Sequence, residues 1–240
     1  MPPDKRVINK LLIFDLDGTI IDVYGCGRKA INTTMKRMYG IYGTGEKLSF
    51  SSTDYGVLLD LAIKLNLKGI FFKRIEEFYV IYSEELEKEI EQNNRSRLMP
   101  GFPEILEYFE NKTQFHLAIA TGNMRVGAIT KMAYFGLEKY FPIGGFGDNL
   151  LNKKDVILSG FKNAKNYYKN NFKKGDVFVI GDTAKDIIAS KDLGFNSIAV
   201  TTGFEGEDKL IQSEPDWIFT NLSNIEEFTN VVNSCKSNLL

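Results

Sequence analysis

Short apolar runs separated by longer amphipathic stretches constrain the fold of this chain more than any other feature. Residues 10–14, 115–120, 177–180, 197–200 and 217–219 are predominantly apolar, as expected of strands buried on both faces. Helical patterns lie between them at 103–109, 124–134, 155–168 and 184–193. Strands alternating with helices predict an α/β protein with a parallel sheet covered on both faces. A last helix is expected after Ser223-Asn224-Ile225-Glu226, which reads as a capping box, and 234–240 reads as a frayed end.

One stretch breaks the alternation. From 21 to 98 the pattern is helix after helix with no convincing strand. Ile75, Phe78, Tyr79, Tyr82, Leu86 and Ile90 recur at helical spacing among Glu and Lys, giving a long amphipathic helix whose aromatics read as core. Met99-Pro100-Gly101-Phe102-Pro103 punctuates the return to the sheet pattern. The expected organisation is an α/β core from 1–20 and 99–240, with a helical domain at 21–98 inserted after the first strand.

At 240 residues the chain is long enough for such a core plus a smaller domain. Its 30 basic and 31 acidic residues leave a net charge of −1, which offers no electrostatic footprint for nucleic acid or an anionic membrane. Cys26 and Cys235 lie far apart in no ligand-spaced cluster and read as free thiols in a reducing compartment. No apolar run approaches the roughly 18 residues that span a bilayer. The stretch at 11–14, after a short basic segment, is too brief for a signal peptide. A cytoplasmic protein, monomeric or weakly homodimeric, is expected.

Ligands of parallel α/β sheets bind at the carboxyl ends of the strands. Three polar clusters fall there: Asp15-x-Asp17-Gly18-Thr19, Thr121-Gly122-Asn123, and Gly181-Asp182-Thr183-x-x-Asp186. Four aspartates brought to one point repel unless a cation sits among them, and oxygen ligands without His or Cys suit Mg2+. Singly, each cluster has a plain structural reading as a cap or a strand-end turn. Asp-x-Asp-Gly-Thr by itself arises by chance in about one chain in several hundred of this length. In ordered combination, coincidence is remote.

Ile13-Phe14-Asp15-Leu16-Asp17-Gly18-Thr19 resembles the first motif of the haloacid dehalogenase superfamily, Ala120-Thr121-Gly122-Asn123 its second, and 179–187 its fourth. The third, a basic residue ahead of a helix, is matched by Lys153 or Lys154; Lys153 keeps better register with the helix expected from about Asp155. The resemblance covers the whole chain. It implies a Rossmann-like core with a helical cap of the first type. It also implies a Mg2+-dependent phosphatase acting on small phosphate esters, in which Asp15 is the nucleophile and Asp17 the general acid and base. The metal ligands it implies are Asp15, the Asp17 carbonyl and Asp182, with Asp186 positioning a ligand water or the metal itself. The phosphate ligands are Thr121, the lysine, and backbone amides near Leu16, Gly122 and Asn123.

In the expected cap, Arg28 or Lys29 within 24–30 offers a contact to an anionic substrate. Ser51-Ser52-Thr53-Asp54 resembles a loop of phosphoglycolate-phosphatase-like members, and an N-cap at Thr53 or Asp54 accounts for it equally. Dehalogenases of the superfamily lack the second carboxylate, so Asp17 argues for phosphate over halide. Phosphonatases need a lysine in the cap for a Schiff base, and β-phosphoglucomutases carry a histidine just after the first motif. No histidine lies between Ile20 and Leu98. A receiver-like phospho-aspartate module would not carry the insert. His116, the chain's single histidine, reads as a packed sheet position.

Overall fold

A computed structural model describes residues 9–48 and 51–234. Strand β1 (Lys10–Phe14) leads into a two-residue strand β2 (Ile21–Asp22). Four helices follow, α1 (Cys26–Tyr39), α2 (Asp54–Lys64), the single-turn α3 (Lys68–Phe71) and α4 (Ile75–Gln92), before β3 (Arg97–Leu98). The rest alternates: α5 (Glu104–Glu110), β4 (Phe115–Ala120), α6 (Arg125–Tyr134), β5 (Gly144–Gly145), α7 (Lys153–Tyr168), β6 (Val177–Gly181), α8 (Ala184–Leu193), β7 (Asn196–Val200), α9 (Glu207–Gln212), β8 (Trp217–Phe219) and α10 (Ile225–Ser234).

Six strands form one parallel sheet in the order β5-β4-β1-β6-β7-β8 among the described residues. The alternation of β1 explains its unbroken apolar run. Leu12 and Phe14 belong to a core shared with α5, α6, α10 and the helices between β2 and β3, whereas Leu11 and Ile13 pack with Val156 and Ile157 of α7 and Ala189 of α8. From Leu11 to Phe14 both faces are therefore apolar, and the first polar side chain after that run is Asp15.

The helical stretch leaves and re-enters the sheet at one place, because β2 and β3 pair antiparallel (Ile21 with Leu98, Asp22 with Arg97). No strand signal marks this ribbon in the sequence, because two residues per strand are too few for a periodic pattern. In α4 the fully enclosed positions are Phe78, Tyr82, Leu86 and Ile90, and Phe78 stacks on Tyr82 with ring centres 5.9 Å apart. Ile75 and Tyr79 are part-buried against the same core.

Three further differences from the sequence reading have local causes. Strand β5 is Gly144-Gly145, which no apolar or β-branched pattern can announce, yet it pairs with Ile119 and Ala120. Helix α7 begins at Lys153, two residues early, because extended Asn152 accepts from the Asp155 N–H at 2.9 Å and caps it. The expected box at Ser223 and Glu226 is displaced by one residue: Asn224 accepts from the Glu227 N–H (3.2 Å) and donates to the Glu227 carboxylate (3.0 Å).

His116 packs against Tyr168 and Phe172, with ring centres 4.5 and 5.2 Å away, and burial lowers its pKa. Cys26 is a buried free thiol donating to the Glu89 carbonyl. Cys235 and the tail from 235 lie outside the described residues, as do the basic residues before position 9. Among the described residues no helix is long and apolar enough to cross a membrane.

Phe14 meets Phe102 and Phe141 edge-on at 6.1 and 6.0 Å and is fully buried. Phe14→Ala should cost about 3–5 kcal/mol of unfolding free energy, measured by urea denaturation. A loss below about 1 kcal/mol would contradict this packing.

Candidate active site

Register brings the polar clusters together. Phe14 aligns with Ile119 of β4 and Ile180 of β6, so all three strands end level. The Asp15 N–H donates to the Ile180 carbonyl at 2.8 Å, and the Thr121 N–H to the Gly145 carbonyl at 3.1 Å. The chain turns immediately after each strand, and the side chains of Asp15, Thr121 and Asp182 are buried around one point.

Asp15, Asp182 and Asp186 each offer a carboxylate oxygen, and the three atoms lie within 4.8 Å of one another. A lysine ammonium holds two of them: Lys153 Nζ lies 2.7 Å from Asp15 Oδ1 and 2.8 Å from Asp186 Oδ1. Burial pushes the Asp15 carboxyl up to about 6, against the opposing charge of Lys153 and with that of Asp186. Burial, then the charges of Asp15 and Asp186, raise Asp182 well above the ordinary carboxylate range. Burial disfavours the Lys153 ammonium too, but Asp15 and Asp186 outweigh it and keep it charged. An all-oxygen carboxylate cluster in which Asp15 and Asp182 resist ionisation is a donor set that fits a divalent cation.

Two glycines make room for Asp182. Gly18 has φ +80°, and a Cβ there would lie 2.2 Å from Asp182 Oδ2; at Gly203 it would lie 1.7 Å from the same atom. The motif glycine thus serves both the turn and the close approach. Thr19 donates to Asp182 Oδ1 at 3.3 Å. Asp186 Oδ2 accepts from the Thr183 hydroxyl at 2.6 Å, so this carboxylate also orders the start of α8.

Asp17 stands apart from this cluster. Both its oxygens face Lys131 Nζ, at 2.8 and 2.7 Å, and Oδ2 accepts from Asn123 Nδ2 at 2.6 Å. Asn123 in turn donates to Thr121 Oγ1, from Nδ2 at 2.6 Å and from its backbone N–H at 3.2 Å.

The helical stretch touches the same strand ends. Asp54 donates its N–H to the Gly122 carbonyl (2.8 Å), and its Oδ2 accepts from the Met124 N–H (2.9 Å). Thr53 caps α2 by accepting from the Gly56 N–H (3.2 Å) and donates its hydroxyl to the Leu150 carbonyl (2.6 Å). Between these elements lies a cavity of about 360 Å³, lined by Asp15, Asp17, Thr121, Gly122, Asn123, Lys131 and Lys153 from below and by Arg28, Ser51–Asp54 and Tyr82 from above.

Of the residues expected from the sequence, Asp15, Asp17, Thr121, Gly122, Asn123, Lys153, Arg28, Thr53 and Asp54 all line this cavity, and Asp182 and Asp186 adjoin Asp15. Lys154 does not: it is exposed and pairs with Asp192 at 3.1 Å. Lys29 points to Glu89 at 3.7 Å, and Arg28 Nη2 donates to the Leu48 carbonyl at 3.0 Å. Sequence reading passed over Lys131 and Gly203, and it read Tyr82 as core, where Tyr82 is buried while also lining the cavity. For Lys131 a signal existed, since Gly127, Ala128, Lys131 and Met132 form the buried stripe of α6 and a lysine is out of place there.

A parallel α/β sheet with a lysine-bridged acidic centre at its strand ends defines an enzyme of the aspartate-centred α/β kind. The family profile described as haloacid dehalogenase-like hydrolase matches residues 12–200, and the chain belongs to that family of hydrolases. A phosphoglycolate phosphatase of Vibrio parahaemolyticus is 28% identical over 92% of this chain and 96% of its own length. A pyrophosphatase of Halalkalibacterium halodurans is 23% identical over 92% and 96%. The crystal structure of a predicted phosphatase from Clostridium acetobutylicum shares the fold with a TM-score of 0.65 at 22% identity, covering 94% of this chain and 99% of that one.

Burial pushes the Asp54 carboxyl up to about 6, with Lys131 opposing. A carboxyl whose folded pKa exceeds its unfolded value of about 4 binds more protons in the folded state between the two. Its ionisation therefore destabilises the fold progressively from about pH 4 to about pH 6, and the penalty stays above that. Asp54→Asn removes it. The variant should gain about 1–3 kcal/mol over wild type at pH 8 and nothing at pH 4, read by urea unfolding in chelator at both values. Equal gains at both would show that charge is not the cause.

Proposed function

We propose that this protein is a Mg2+-dependent phosphomonoesterase that hydrolyses small phosphate esters through an aspartyl-phosphate on Asp15. The observation that carries this reading is Asp15 at the cavity floor, bridged by Lys153 to Asp186 and adjoining Asp182, with Asp17 two residues on and turned to a separate set of partners. One carboxylate is thereby set beside a cationic group and a candidate cation site, where it can receive a phosphoryl group. The other is reserved for protons.

Asp15 Oδ attacks phosphorus, the bond to the ester oxygen breaks, and that oxygen leaves with a proton from Asp17. Asp17, now a carboxylate, takes a proton from water as the water oxygen attacks the aspartyl-phosphate; phosphate leaves and Asp15 is restored. Lys153 and Thr121, with backbone amides near Leu16, Gly122 and Asn123, bind the non-bridging oxygens. In the resting arrangement the Asn123 N–H is engaged by Thr121 Oγ1, so its use on phosphate requires that contact to loosen. Asp15, Asp182, Asp186 and the Asp17 carbonyl would hold Mg2+, which when bound supplies positive charge to the transferring group.

In this reading residues 1–20 and 99–240 are the catalytic core, and 21–98 is a cap that encloses the substrate and limits bulk water. The 360 Å³ cavity suits a metabolite rather than a phosphoprotein. The phosphoglycolate phosphatase relative supports a small phosphorylated acid, and Arg28 together with Thr53 and Asp54 supplies the cap's side of the pocket. A cytoplasmic location goes with such a substrate.

With Mg2+ the protein should release phosphate from 4-nitrophenyl phosphate. Asp15→Asn should abolish turnover, and Asp17→Asn should lower kcat about 10²- to 10³-fold. Full activity in a clean preparation of Asp15→Asn would overturn the mechanism. Lys153→Met should cut kcat/KM by about 10²-fold or more, whereas Lys154→Met should stay within about twofold of wild type. The reverse order would reassign the phosphate ligand.

A further inference from the structure

Lys131 is a lysine on the buried face of α6, its side chain 5% exposed. Its ammonium has three protons and three acceptors: Asp17 Oδ1 at 2.8 Å, Asp17 Oδ2 at 2.7 Å and Asn123 Oδ1 at 2.7 Å. Burying an ammonium is costly even when it is paired, and an apolar residue of similar volume often stabilises a core better. Packing therefore does not account for a lysine here. Direct binding of substrate accounts for it poorly too, because all three donors are already engaged.

What the contact does is restrict Asp17. The side chain of Asp17 is 37% exposed and borders the cavity. Without Lys131 it would keep the contact of Oδ2 with Asn123 Nδ2 and would rotate about it. With Lys131 both oxygens are held, and Lys131, Asn123 and Asp17 close a triangle in which each side chain bonds the other two. Asn123 also donates to Thr121, so the acid–base carboxylate is fixed relative to the phosphate side of the site through side chains alone. Among the described residues of the helical stretch, Asp54 faces this triangle, its carboxylate accepting from the Met124 N–H just ahead of α6, and Arg28 lines the same cavity.

We propose that Lys131 is a positioning residue that fixes the Asp17 carboxylate through a closed Lys131–Asn123–Asp17 triangle and so sets the rate of proton transfer without touching the substrate. The inference rests on the phosphatase reading above. It assigns to α6, which carries none of the motif residues, a direct part in the geometry of the reaction.

A double-mutant cycle tests it, with kcat and KM for 4-nitrophenyl phosphate measured under saturating Mg2+ in wild type, Lys131→Met, Asp17→Asn and the double variant. Lys131→Met should lower kcat about 10- to 100-fold and leave KM within about threefold. In the Asp17→Asn background the same change should cost less than about threefold, since the group it positions is already disabled. A loss of equal size in both backgrounds would sink the proposal, because a structural role or a separate catalytic role is indifferent to Asp17. A rise in KM with kcat unchanged would also sink it, by making Lys131 a substrate ligand. Should Lys131→Met fail to fold, Lys131→Gln, which keeps two donors at that place, enters the same cycle with the same expected non-additivity. Failure of the parent reading looks different: there Asp15→Asn keeps its activity. Asp15-dependent turnover with an additive cycle removes only the role of Lys131.

Discussion

Three carboxylates confined within 4.8 Å are the constraint around which this molecule is organised. At that separation two full charges repel by at least about 3 kcal/mol even at an effective dielectric constant of 20. The Lys153 ammonium relieves two of the three by lying between Asp15 and Asp186. Asp182 has the Thr19 hydroxyl and the backbone of two glycine turns around it. Such a centre is poor at stabilising a fold, since pairing buried ions recovers little more than their desolvation costs. It is retained where charge is to be presented to a ligand, and a phosphoryl group neutralised from several sides is such a ligand.

The sheet makes this centre possible by supplying three strand ends at one level. Parallel strands β4, β1 and β6 are apolar on both faces over their last residues, and each then places a polar side chain within reach of the others. Lys153 arrives from outside the sheet, on the first turn of α7, which is why the capping of that helix matters. Asn152 in extended conformation starts α7 early enough for position 153 to face inward and position 154 outward. A start two residues later would leave that choice undetermined.

The helical stretch from α1 to α4 is tied to the same centre at two levels. Its apolar residues share one continuous core with a face of the sheet. Its loop at 51–54 also hydrogen-bonds the strand-end loop at Gly122 and Met124. The ribbon of β2 and β3 provides a single point of attachment beneath these contacts. The residues that roof the cavity thus also hydrogen-bond the loop after β4, and Asp54 carries an electrostatic cost for taking part in that contact.

Most of the sheet and the motif aspartates were legible in the sequence. Burial on both faces leaves an unbroken apolar run, and the abrupt change to Asp at its end is a local signal. The glycine strand β5 was not legible, because its pairing with β4 uses backbone groups that every residue has. The shift of the last cap from Ser223 to Asn224 was equally hidden, since both side chains can cap and their neighbours decide. By itself the sequence determined the α/β alternation, the helical insertion and the identity of the acidic groups, all of which depend on spacing along one segment. Helix register in the sequence already favoured Lys153 over Lys154; the tertiary structure set Lys153 between Asp15 and Asp186, brought Asp54 onto the strand ends, and paired Lys131 with Asp17 across 114 positions. Those choices depend on which surfaces meet when separate segments pack, and no pattern within one segment records them.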